Sequence, residues 1–326
     1  MKRFGRALMF GAALVLAGPS SAALVPEPRL QLQEWQNKEA RLFGIGWRLA
    51  TGNAPFCADA APAVGLLLHD AGSYAEPEAV RAALGLTGPI GVQAVATGSP
   101  AAQAGLRAND TLLKVDDDEL ALLPLDKTRA WSRLTSITAA FNKSLAQDGE
   151  VELRWHDASG GEREALLRGV PACPSRFELL SESDRVSADG ARVLLGERFA
   201  GFIYPDDLLA AAVAHELAHN LLRHRERLDR QGRSQANVRA TEREADRMMP
   251  WLLANAGYPP DAAVRFMRRW GPRSTGGQLG GLLRARSHDG WDERATLIAA
   301  ELPLITRVLA TAGLADWRGR FSVVAP

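Results

Sequence analysis

Residues 208–222 read L-L-A-A-A-V-A-H-E-L-A-H-N-L-L, an apolar run that carries two histidines and one glutamate. Pro205 and Asp206 stand just before it, and an acidic residue beside a proline is typical of a helix start. The run therefore predicts a helix that continues to about Leu228. On this helix the four-residue spacing of His215 and His219 puts both imidazoles on one face, one turn apart.

The polar residues of this helix suit metal-dependent hydrolysis. Two neutral imidazoles at this spacing suit tetrahedral zinc, with bonds of about 2.0–2.1 Å. Glu216 is expected beside the metal, where it would take a proton from zinc-bound water as the water attacks a peptide carbonyl. The alternative is an incidental glutamate between two histidines, which chance produces in about one chain in a hundred or fewer. His224, beyond the motif, is expected to be solvated or salt-bridged.

A catalytic zinc site needs a third protein ligand and one open position. Residues 241–246, T-E-R-E-A-D, supply candidates on a second helix, where Glu242 and Asp246 share a face and Glu244 points elsewhere. Two histidines and a carboxylate also suit other divalent ions, so the residues alone leave the metal open.

The pair of motifs H-E-L-A-H and E-R-E-A-D resembles the family of HtpX heat-shock proteases and CAAX prenyl endopeptidases. The resemblance spans about residues 176–309 together with the early stretch 30–50. It implies a zincin-like domain with one zinc ion per chain, Glu242 as third ligand, and Asp246 supporting the histidines. It also places His288 near the zinc, where it would bind the transition-state oxyanion or block the metal at rest. Asp289 stands where that family usually has a proline.

A second motif lies upstream. Residues 88–115, G-P-I-G-V-Q-A-V-A-T-G-S-P-A-A-Q-A-G-L-R-A-N-D-T-L-L-K-V, resemble the PDZ domains of bacterial exported proteases. Such a domain implies an open sheet edge beside a helix, where a peptide end adds as a strand. The backbone near Ile90, Gly91 and Val92 is expected to receive the terminal carboxylate. The alternative is a small sheet domain without a ligand.

The first 22 residues have the composition of a secretory signal peptide. Basic residues at the start precede an apolar run from Ala7 to Gly18, which is short for a retained membrane anchor. The chain is therefore expected in the periplasm. Cys57 and Cys173 then favour a disulfide over two separate thiols.

Composition and charge indicate the number of domains and the kind of partner. The chain has 326 residues, 46% hydrophobic and 24% charged, which suits about two folded domains. Loss of the leader removes three basic residues and changes the formal net charge from +1 to −2. This balance argues against nucleic acid as a partner.

Together these patterns predict an α+β protein, in which a mainly helical zincin-like metallopeptidase domain carries a small β-rich PDZ domain. The expected divisions are a leader (1–22), an N-terminal helix and linker packed on the catalytic domain (23–84), the PDZ domain (85–172) and the metallopeptidase domain (173–326).

The predicted function is zinc-dependent endopeptidase activity on exported, misfolded or unassembled envelope proteins, with the PDZ domain binding chain ends. The alternative is a periplasmic peptide-binding chaperone or adaptor with a latent zinc site, or a structural one that His288 closes as a fourth ligand. Peripheral association with the outer membrane or its assembly machinery is left open.

Overall fold

The chain folds around two hydrophobic cores in a computed structural model, which describes residues 28–126, 128–274 and 289–321. One core lies in a β-rich unit and the other in a mainly helical unit. The expected mixture of helix and sheet is confirmed. The predicted leader (1–22) and His288 lie outside the described residues.

The β-rich unit is an antiparallel sheet with the order β2-β3-β4-β6-β7, in which β5 adds to β4. The strands are β2 (Leu66–Asp70), β3 (Ile90–Val95), β4 (Thr111–Val115), β5 (Asp118–Glu119), β6 (Glu150–His156) and β7 (Glu162–Arg168). The helices are α2 (Pro77–Leu84), α3 (Pro100–Gln103) and α4 (Ser132–Asp148). Strand β2 belongs to this sheet, so the unit begins before the predicted boundary at residue 85. The predicted boundary came too late, because the sequence does not show that β2 pairs with β3.

A narrow neck joins this unit to the rest of the chain. Strands β1 (Ala61–Ala63) and β8 (Val170–Ala172) pair antiparallel where the chain enters and leaves the sheet. A disulfide between Cys57 and Cys173 lies just outside them, with the Cα atoms 5.5 Å apart. The β-rich unit is therefore an insertion held at its base by two strands and one covalent bond.

The helical unit contains a three-stranded sheet with the order β10-β11-β9. Its strands are β9 (Arg176–Leu180), β10 (Val186–Ala188) and β11 (Arg192–Gly196). Its helices are α5 (Asp206–Leu221), α6 (His224–Gln231), α7 (Gln235–Asn255), α8 (Ala262–Ser274), α9 (Trp291–Ala299) and α10 (Leu302–Ala312). Helix α5 packs against α7 and α8, and α7 continues through Pro250.

Helix α5 ends seven residues before the predicted helix end at Leu228. Arg223 adopts a left-handed conformation with φ 51°, and α6 starts at the next residue in a new direction. Such a conformation is unfavourable for a side chain with a Cβ, so surrounding contacts must hold it. The break changes the direction in which His224 points.

Helix α1 (Pro28–Asn53) contacts both units. On the sheet side, Gln36 Nε2 donates to Gln93 O (3.2 Å) and to Asn109 Oδ1 (2.9 Å). On the helical side, Asn53 Nδ2 donates to Leu252 O (3.1 Å). Residues near the helix start therefore hold the inserted unit, and residues near its end hold the helical core.

The stretch Trp291–Ala312 is long and apolar enough to cross a membrane, judged by length and composition alone. It consists of α9 and α10, and both pack in the helical unit. Glu301 between them is 2% exposed and pairs with Arg247 (2.7 Å) and Arg320 (2.6 Å). These buried ion pairs favour two helices packed in the helical unit over a single membrane-spanning helix.

Candidate metal centre and peptide groove

Three side chains from α5 and α7 meet at one point. His215 Nε2 lies 3.2 Å from His219 Nε2 and 3.3 Å from Glu242 Oε2, and His219 Nε2 lies 3.5 Å from Glu242 Oε1. Ligands that surround zinc tetrahedrally at 2.0–2.1 Å are separated by about 3.3–3.4 Å. The distance between the two imidazole nitrogens matches this spacing, and each oxygen of Glu242 lies at a similar distance from one imidazole, so the cluster could hold a metal ion.

A buried carboxylate orients His215 from its far side. Asp246 Oδ1 lies 3.1 Å from His215 Nδ1. Arg294 of α9 donates to both oxygens of Asp246, from Nε and Nη2, at 2.6 Å each. Asp246 is 1% exposed and Arg294 is 5% exposed, so the pair is screened from water. The ring of His215 is thereby held with Nε2 toward the cluster.

The charges of the cluster are strongly coupled. Burial disfavours a charged imidazole, but hydrogen bonds to Asp246 and Glu242 outweigh it and raise the pKa of His215 to about 10. Burial and the charge on His215 lower the pKa of His219 to about 3. Without metal, the cluster therefore keeps one positive charge between the carboxylates. A divalent cation would take the place of that charge.

Glu216 follows His215 on α5, and its side chain is half-buried next to the histidine pair. Arg294 also interacts electrostatically with Glu216 and with Glu242. The carboxylate of Glu216 therefore lies beside the candidate metal cluster, where a carboxylate is suited to accept a proton.

His224 was expected to be either solvated or salt-bridged, and it is not solvated. It is 1% exposed, and its ring contacts the far side of His219. On an unbroken helix, a residue five positions after His219 lies about 140° away around the axis. Helix periodicity therefore predicts that His224 faces away from the cluster. The break at Arg223 places it next to His219 instead.

The predicted carboxylate-binding position is wrong. Ile90, Gly91 and Val92 lie in β3, which is hydrogen-bonded to β2 on one side and to β4 on the other. Ile90 and Val92 are fully buried, and Val92 N–H donates to Asp110 O at 2.8 Å. A strand with both edges paired cannot accept a peptide as an added strand.

An open edge belongs to β2, one of the two terminal strands of the sheet. Among the described residues no strand pairs with its outer side. A cleft of about 1900 Å³ opens along β2 and α4 and extends to the disulfide. Gly65 leads into β2 with φ +70°, and a Cβ there would collide with Ser99. The turn before the open strand therefore requires glycine.

Apolar side chains line both walls of this groove. Leu66 and Leu68 lie on the strand wall, and Leu134 and Phe141 lie on the helix wall. Below them Asp70 of β2 accepts hydrogen bonds from Arg133 at 2.6 and 2.7 Å, and both side chains are buried. This ion pair fixes the distance between the walls. An unpaired strand edge beside a helix is the arrangement that binds an extended peptide.

The family model described as the PDZ domain matches residues 91–133, which contain most of β3, all of β4 and the start of α4. No curated protein and no solved structure matches the chain. The match and the observed sheet agree, so this chain contains a PDZ domain, a kind of domain that binds the ends of peptides.

Proposed function

We propose that the protein is a zinc-dependent endopeptidase of the HtpX and CAAX prenyl endopeptidase type. One observation supports this above all. The ligand atoms of His215, His219 and Glu242 lie close enough together to hold one metal ion, and Glu216 stands next to them. Three protein ligands leave one position open, which distinguishes a catalytic site from a structural one.

A zinc ion held by His215, His219 and Glu242 would act as a Lewis acid that polarises the peptide carbonyl and lowers the pKa of water to about 7. Glu216 takes the proton as water attacks, and then gives a proton to the leaving amine. Asp246 keeps the ring of His215 in place, and Arg294 holds Asp246. The role of His288 stays a prediction, since it lies outside the described residues.

The PDZ domain supports the choice of substrate. Its groove offers backbone hydrogen bonds along β2 and apolar contacts from α4 to an extended chain end. Misfolded and unassembled proteins present such ends, whereas folded proteins bury most of their backbone groups. We therefore assign unfolded protein chains as the substrate class.

A disulfide supports the proposed location. The bond between Cys57 and Cys173 closes the neck of the insertion, and such bonds persist in oxidising compartments such as the bacterial periplasm. The apolar leader of the sequence agrees with export. The substrates would accordingly be exported proteins of the cell envelope.

A periplasmic peptide-binding chaperone or adaptor with a latent zinc site is the second candidate. The PDZ match favours it, because that match supports peptide binding without supporting hydrolysis. The two candidates differ in one property, which is turnover of a bound unfolded chain.

The decisive experiment combines metal analysis with cleavage of unfolded casein by the mature protein. Wild type should contain one zinc ion per chain and lose cleavage on chelation. Glu216→Gln should keep its zinc and lose about 10²–10⁴-fold in rate, and Glu242→Ala should lose zinc. Glu34→Gln, at an exposed site on α1 that does not line the cleft, is the matched control and should behave as wild type.

Each outcome has a definite meaning. Turnover retained by Glu216→Gln would show that Glu216 is not the base. Full zinc content in Glu242→Ala would mean that the third ligand is another residue. Zinc without cleavage in wild type would favour the chaperone.

The groove is tested separately with a fluorescent peptide that has an apolar C-terminus. Thr138 lines the cleft, so Thr138→Arg should weaken binding at least about tenfold, because a long charged side chain would obstruct the apolar groove. Ser136 is exposed on the same helix and does not line the cleft, so Ser136→Arg is the control. Equal affinities of the two variants would contradict the groove between β2 and α4.

A further inference from the structure

His224 lies directly behind the metal ligand His219. Its Nδ1 is 2.9 Å from Nδ1 of His219, and its Nε2 is 3.2 Å from Oε2 of Glu244. Arg227 Nη1 donates to the same Glu244 oxygen at 2.8 Å. The imidazoles of His219 and His224 meet edge to face, with ring centroids 4.8 Å apart. These contacts form a row from the cluster to a carboxylate and an arginine, all between α5, α6 and α7.

The row has one consistent direction of hydrogen bonding. Nε2 of His219 faces the cluster, so its lone pair is used there and the neutral ring carries its proton on Nδ1. That N–H can donate only to an unprotonated Nδ1 of His224. His224 then carries its proton on Nε2 and donates it to Glu244. One tautomer of each ring satisfies every contact.

We propose that His224 is a positioning residue for His219, and that Glu244 and Arg227 fix the orientation of His224. This role rests on the metal centre proposed above. It gives the second histidine ligand a support equivalent to the one that Asp246 and Arg294 give to His215. Partners on the far side of a metal-bound imidazole hold its ring orientation and raise its basicity.

The local backbone is built for this contact. The left-handed conformation of Arg223 ends α5 and starts α6, which turns His224 from the opposite side of the helix toward His219. A non-glycine residue in this conformation is uncommon and persists only where surrounding contacts compensate for it. Burial of His224 to 1% exposure adds to those contacts, because the ring packs between α5 and α7.

The test separates the two ring nitrogens of His224. An asparagine amide occupies the place of Nδ1, so His224→Asn keeps a partner for His219 and loses Glu244. A glutamine amide occupies the place of Nε2, so His224→Gln keeps Glu244 and loses His219. Both changes remove one aromatic ring, which makes them matched controls for lost packing.

The zinc dissociation constant is measured by competition with a chromophoric chelator at one neutral pH. Loss of an outer partner weakens metal binding by about 10–100-fold, so His224→Gln should show this increase. His224→Asn should show a smaller increase, of about three- to tenfold, because it keeps the partner of His219 and loses only the contact with Glu244. Circular dichroism of the metal-free proteins checks that both variants fold.

Equal zinc affinities of the two variants would overturn the role of His224, while zinc binding by wild type would leave the metal centre intact. A wild type that binds no zinc would overturn both. If either His224 variant fails to fold, Glu244→Ala takes its place, because it leaves both histidines and removes the hydrogen bond between Glu244 and His224. Its zinc dissociation constant should rise about three- to tenfold, and an unchanged value would again reject the proposal.

Discussion

Replacement of Asp246 by asparagine tests the buried ion pair behind the metal cluster. The substitution keeps the shape of the side chain and removes its charge. Arg294 is 5% exposed and would lose the negative charge of its partner and one of its two hydrogen bonds of 2.6 Å. An uncompensated charge at such depth costs about 3–5 kcal/mol of folding free energy. A change of that size should lower Tm by about 5–8 °C in a chain of this length.

The assay is urea unfolding of the metal-free protein, followed by far-UV circular dichroism in the presence of chelator, so that metal binding does not contribute. The double variant Asp246→Asn with Arg294→Met removes both charges and should recover part of the loss, since an apolar pair can replace a buried ion pair at little cost. The two single effects are then non-additive.

Two results would refute this reasoning. One is a loss below about 1 kcal/mol for Asp246→Asn, which would mean that Arg294 finds water or another partner. The other is simple additivity of the two substitutions, which would mean that the two side chains are not energetically coupled in the folded protein.

Three further predictions concern other parts of the chain. Reduction of the bond between Cys57 and Cys173, 116 residues apart, should cost about 4–5 kcal/mol, and an unchanged urea midpoint in reductant would contradict it. Burial, opposed by the charge of Asp70, lowers the pKa of His69 from 6.5 to about 4. As the pH falls, the unfolded chain therefore binds the proton before the folded protein does. The contribution of His69 to the free energy of unfolding is complete above pH 6.5 and falls by about 3 kcal/mol as the pH drops to about 4. His69→Gln should remove that slope from urea unfolding measured across the range, and parallel pH profiles would show the attribution to be mistaken. Arg223 has φ 51°, so Arg223→Gly should be tolerated, whereas Arg223→Val should lower the free energy of unfolding by about 1–2 kcal/mol. Equal urea midpoints for the two variants would show that the backbone at this residue is not strained.

The parts predicted from sequence are those that depend on one short stretch of chain. The spacing of His215 and His219 predicts a shared helix face, because helix periodicity is local. The run from Gly98 to Asp110 identifies the PDZ domain for the same reason, since its turns and caps are set by neighbouring residues. The even cysteine count, in a chain whose sequence predicts export, favoured the pair that the structure shows bonded.

Tertiary structure decided which distant elements meet. It placed Leu66–Asp70 at the open edge of the sheet, because the pairing of β2 with β3 spans a loop and a helix that the strand patterns do not encode. It brought Arg294 behind Asp246 and turned His224 behind His219, through a helix break whose left-handed residue has no sequence signature. Sequence by itself determined the residue types that suit a metal and the helix that pairs them. The hydrogen bonds that hold each imidazole depend on packing between helices, and that packing exists only once the chain has folded.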